Sequence, residues 1–101
     1  MCTILYEAEQ RRLRLTGRCL PDDGPRVADA IAVWTVQRRG LIVDLTALES
    51  LTAEVAAELL TAARDRSRRV SIVRRSGSDV DRALLLAAGT GGSADGWLPL
   101  R

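Results

Sequence analysis

The 101-residue chain contains no histidine, no lysine and no phenylalanine, and each absence closes a class of chemistry. Without His there is no ordinary general base near neutral pH, no imidazole to activate a Ser or Cys nucleophile, and no example of the commonest metal-ligating side chain. Without Lys there is neither a Schiff-base amine nor a Walker A phosphate loop. Cys2 and Cys19 are the only thiols, and their separation matches no CxxC or Cys/His metal spacing, so they read as reduced thiols of a cytoplasmic protein. Three aromatics, Tyr6, Trp34 and Trp97, are too few for the stacking platform of a single-strand nucleic-acid binder. Apolar runs such as Ala83 to Ala88 stop far short of the ~20 residues of a membrane span. The opening MCTILYEAEQ lacks the basic region and apolar stretch of a secretory signal. The expectation is a cytoplasmic protein that is neither exported nor inserted, has no catalytic turnover and needs no metal or cofactor.

What is present fits a soluble globular chain, with 47% apolar and 28% charged residues, read as a single domain over residues 1–101. The formal charge of +2 comes from fifteen arginines and thirteen acidic residues mixed along the length, a mixed surface rather than a nucleic-acid footprint. An exclusively Arg, Ala-rich composition suggests a high-GC bacterial source.

The chain alternates strand and helix signals. Thr3 to Glu7 and Arg12 to Thr16, joined by a polar stretch, predict a hairpin, because Leu13 and Leu15 alternate with Arg12, Arg14 and Thr16. The Gly, Pro and Asp residues of 17–24 predict a loop, and Pro25 suits a first helical position. Val27, Ala30, Ile31 and Trp34 then mark a helix running to about Arg39, with Gly40 as its terminator. Leu41 to Val43 is an unbroken apolar run, expected to be a central strand buried on both faces. Thr52 is placed to cap a second helix with Glu54 in its first turn and Val55, Ala56, Leu59, Leu60 and Ala63 on its apolar stripe. Val70 to Val73 predicts another strand, and Ser78 with Asp81 forms a candidate capping box before a third helix ending near Gly89. The order ββαβαβα predicts a small α/β sandwich: a mixed four-stranded sheet with an antiparallel edge and helices mainly on one face.

Arg14-Leu15-Thr16-Gly17 and, after a helix, Leu41-Ile42-Val43-Asp44-Leu45-Thr46 resemble the "L-(S/T)-G" and "(V/I)-(V/I)-D-L-S" signatures of the STAS domain family of anti-sigma factor antagonists. Val80-Asp81-Arg82-Ala83-Leu84 with Gly89 resembles that family's third helix, so the likeness spans about Leu5 to Gly89. The resemblance implies a small module that binds a GHKL-type anti-sigma kinase and is released when a Ser or Thr at the start of the second helix is phosphorylated. Against the family pattern D-(S/T)-(S/G)-G-L, this sequence places Thr52 at the acidic position, Ala53 at the phosphoacceptor and Val55 at the Gly. Leu20 stands where the family commonly has an Asp. The standard switch is therefore expected to be absent.

The expected partner-binding surface is Leu20, Ser50, Thr52, Ala53, Glu54 and Val55. Thr52 is a candidate displaced phosphoacceptor, but a helix cap is the simpler reading of its hydroxyl. Glu54 reads as dipole matching before it reads as a fixed mimic of phosphate. Asp44, lacking a His, Lys or metal-site partner, reads as a turn cap rather than a reactive group. The Arg64, Arg66, Arg68 and Arg69 group reads as a solvated helix end, and Gly89 to Gly92 follows a helix, so it is no dinucleotide loop. Trp97 reads equally as a partner anchor or as a tail residue folded on its own sheet. A rival assignment is the STAS accessory subunit of an ABC-type lipid transporter, binding its ATPase.

Overall fold

The structure, a computed structural model, describes residues 1–35, 40–65 and 69–90. It is built from β1 (Cys2–Glu7), β2 (Arg12–Cys19), α1 (Asp23–Trp34), β3 (Gly40–Asp44), β4 (Leu48–Leu51), α2 (Ala53–Arg64), β5 (Arg69–Val73) and α3 (Asp79–Thr90). The sheet order is β1-β2-β3-β5, with β1 antiparallel to β2 and the other pairings parallel. β4 pairs in parallel with the far end of β2.

Period-2 patterning dictates which face is covered. Leu13 and Leu15 of β2, Leu41 and Val43 of β3, and Val70 and Ile72 of β5 are all buried, and the pairing register puts them on one side. They join Val27 and Ile31 of α1, Val55, Leu59 and Leu60 of α2, and Val80 and Leu84 of α3 in one apolar cluster. The opposite side carries Arg12, Arg14, Ile42, Arg69 and Ser71, which are half-buried or exposed. The helices therefore cover one face, as the sequence pattern requires of an antiparallel-edged α/β layer.

Five details differ from the sequence reading. The sheet has five strands, because Leu48 to Leu51 pairs with β2. Its signal was hidden by a bulge: Gly17 pairs with Leu48 and Arg18 with Ser50, so Glu49 is left over and Leu48 and Leu51 both point inward. Gly17 sits at this irregularity with φ 86°, a conformation that glycine adopts without strain. β3 is interior, between β2 and β5, yet it is buried on one face only, since Ile42 is half-exposed.

α1 begins at Asp23, two residues before Pro25, and Pro25 occupies the third helical position, where the missing N–H has no intrahelical acceptor to lose. The helix ends at Trp34, where the Thr35 hydroxyl donates to the Ile31 carbonyl at 2.7 Å. Trp34 is 43% exposed instead of central in the stripe, and its ring stacks on Tyr6 with centroids 3.8 Å apart. Arg38, Arg39, Arg66, Arg68 and the segment from Gly91 through Trp97 lie outside the described residues.

Candidate functional site

β2, β3, β4 and β5 run in parallel, so their carboxyl ends gather the loops entering α1, α2 and α3 at one end of the sheet. In α/β sheets this is the end where binding groups collect. Here the loop after β2 is tied directly to the start of α2: the Thr52 amide donates to the Cys19 carbonyl at 3.2 Å. That bond sets Leu20, 48% exposed, beside the first turn of α2. Ala53 and Glu54 are exposed in that turn, and Thr52 and Ser50 are half-buried.

Thr52 caps α2 as its position predicts. It has extended backbone angles, its Oγ1 accepts from the Val55 amide at a long 3.5 Å, and its carbonyl accepts from Ala56 at 2.9 Å. Val55 departs from the sequence reading. It is fully buried, because the third residue of the helix lies on the same side as Leu59 and Ala62 and enters the core with them. Its side chain therefore supplies packing and offers no contact surface. Leu20, Ser50, Thr52, Ala53 and Glu54 are brought together, and Val55 supports them from below.

Two carboxylates hold the neighbouring loops. Asp44, buried at the end of β3, accepts from the Thr46 amide at 2.9 Å and hydroxyl at 2.6 Å, the turn cap expected of it. Burial alone would raise its pKa, but the two Thr46 bonds, with Arg12 and Arg14 at 3.7 and 3.9 Å, hold the carboxyl below its ordinary range. Asp23 is 1% exposed and accepts from the Leu20 amide at 2.8 Å, the Arg26 guanidinium at 2.6 Å and the Cys2 amide at 3.3 Å. The Leu20 bond leads in lowering its pKa, opposed by burial and reinforced by Arg26 and Cys2. Sequence reasoning found no role for Asp23. The signal available was an Asp at a helix start with Arg three residues on.

A second element went unseen at the start of α3. Asp81 and Arg74 are both buried, and Arg74 Nε donates to Asp81 Oδ1 at 2.6 Å. The other oxygen accepts from the Gly77 amide at 2.7 Å, and the Asp81 amide donates to Ser78 Oγ at 3.1 Å. The capping box is thus half as expected: Ser78 accepts, while the carboxylate turns to Gly77 and Arg74. A groove of about 620 Å³, lined by Ala28, Glu58, Thr61, Ala62, Arg64 and Asp65, lies along the C-terminal half of α2, apart from these loops.

Among the described residues no helix is long and apolar enough to cross a membrane. No protein-family model and no curated protein matches the sequence. A solved structure does match in three dimensions. That of an anti-sigma factor antagonist from Mycobacterium paratuberculosis superposes with a TM-score of 0.75 at 19% sequence identity, covering 99% of this chain and 85% of that one. The likeness extends over nearly the whole chain, which agrees with the resemblance carried by Asp44-Leu45-Thr46 and the helices around it; the chain has the STAS fold of an anti-sigma factor antagonist.

Proposed function

We propose that residues 1–101 act as a non-catalytic, cytoplasmic protein-binding module of the anti-sigma factor antagonist kind, whose partner is a GHKL-type anti-sigma kinase or a protein like it. The observation that carries this reading is the Thr52–Cys19 backbone bond, which joins exposed Leu20 to the exposed first turn of α2. Ala53 offers a methyl group where a phosphoacceptor would stand, and the Thr52 hydroxyl is engaged as a cap. Binding is therefore constitutive and set by concentration, without the charge of about −1.5 to −2 that a phosphate would add against the interface.

The test is calorimetric titration of the full chain with the GHKL-type kinase encoded in the same genome, with and without Ala53→Arg and Glu54→Arg together. Binding by the parent chain that is lost in the double variant, with unchanged circular dichroism and no phosphate gained on incubation with ATP, is expected. Retained binding in the double variant moves the site elsewhere. Capture of a transporter ATPase in place of the kinase favours the rival assignment, and phosphate on Thr52 or Ser50 restores the switch.

A further inference from the structure

We propose that Cys2 and Cys19 form a site of reversible oxidation, closing to an intramolecular disulfide under peroxide. Cys2 begins β1 opposite Gly17, and Cys19 lies two residues beyond Gly17 on β2, on the same face of the sheet. Both side chains are buried, 2% and 0% exposed, in the same apolar cluster, and the Cys2 thiol is near enough to perturb that of Cys19. Both thiols of the chain are thus neighbours on adjacent strands inside the core, although seventeen positions separate them in sequence.

The two sulfurs have unequal roles. Burial, the neighbouring Cys2 thiol and the nearby Asp23 carboxylate push the Cys19 thiol above the ordinary range, which makes Cys19 a poor first nucleophile. Cys2 holds the first pair of the edge strand β1, beside Met1, which is 79% exposed, so local opening of this pair brings Cys2 to solvent. The Cys2 thiolate attacks a peroxide oxygen; an S–O bond forms, the O–O bond breaks, and the other oxygen leaves as water after taking a proton. Cys19 sulfur then attacks Cys2 sulfur; the S–S bond forms, the S–O bond breaks, and the departing hydroxide takes the Cys19 proton. Two thiols and one hydrogen peroxide give one disulfide and two waters, with two electrons passing from sulfur to oxygen.

The bond would lie directly behind the proposed docking face. The Cys19 carbonyl accepts from Thr52, and Asp23 accepts from both the Cys2 and Leu20 amides. Oxidation therefore fixes the Leu20 loop and the start of α2 against β1. Any change in partner affinity rests on the docking reading, whereas the disulfide itself does not.

The full chain, treated with hydrogen peroxide, alkylated with iodoacetamide in denaturant and weighed intact, should lose the mass of two hydrogens and take up no alkyl group. Dithiothreitol should reverse this, and a non-reducing tryptic map should join residues 1–11 to residues 19–26. Slower amide exchange at Leu20 and Thr52 is expected in the oxidised form. Cys2→Ser and Cys19→Ser should each abolish the linkage. Because a serine in the core can impair folding, the unsubstituted chain treated with diamide supplies a second route to the same linked peptides. Two alkylated thiols after both oxidants, or linkage found only between chains, would overturn the proposal.

Discussion

The starts of α2 and α3 stand at the same end of the sheet and are built in opposite ways. α2 begins with a neutral hydroxyl cap at 3.5 Å and two exposed side chains, Ala53 and Glu54. α3 begins over a buried ion pair, Arg74 with Asp81, whose second oxygen also fixes Gly77. A buried charge pair tolerates little movement, because each partner left alone is a desolvated charge. The difference separates the two helix starts: α3 is part of the frame, and α2 carries exposed, replaceable side chains in its first turn, the ones the proposed docking reading uses.

The contrast breaks most visibly at Asp81. Asp81→Ala should cost about 3–5 kcal/mol, because Arg74 is left buried and uncompensated, and urea unfolding would read it. A loss near that of a surface substitution would show that Arg74 reaches water instead. Val55→Gly, which installs the residue of the family pattern, should cost about 3 kcal/mol through lost packing and a glycine inside a helix. Thr52→Ala should cost about 1 kcal/mol in urea unfolding, since it removes the cap. Ala53→Arg with Glu54→Arg should change stability by less than about 0.5 kcal/mol, so that any loss of binding is a loss of contact. An unfolding midpoint that drops strongly in this double variant would place α2's first turn in the frame as well.

Acid sharpens the same comparison at the end of β3. Asp44 has its pKa lowered in the folded chain, so its contribution is present above the ordinary carboxylate range and is lost as pH falls through the folded value. Asp44→Asn should flatten that part of the stability profile on the acid side and leave neutral-pH partner binding unchanged. An unaltered acid limb would assign the transition to Asp23, which is shifted in the same direction.

Much of the frame was legible because it follows from local rules. Leu13 and Leu15 alternate with charges, Thr52 precedes an amphipathic run, and Asp44 ends an apolar strand; each settled where its residue points. β4 was not legible, since the bulge at Glu49 destroys the alternation that marks a strand. Val55 was placed on the contact surface because the family pattern has a turn glycine there, although its helical spacing to Leu59 already put it in the core. Arg74 and Asp81 are seven apart across a turn and a helix start, a separation that no helical or strand period links. Only the spacing from Asp23 to Arg26 marks it locally, because its other partners, Cys2 and Leu20, are backbone amides on either side of the hairpin, visible only once β1 and β2 are paired.

Hydrogen exchange of the full chain, free and bound to the GHKL-type kinase, tests the division between docking turn and frame most directly. Slowed exchange on binding at the amides around Leu20 and from Thr52 to Ala56, with no change from Arg74 to Asp81, is the predicted result. Protection confined to the outer strands of the sheet or to the groove at Ala28 and Thr61, with the first turn of α2 unchanged, would contradict it.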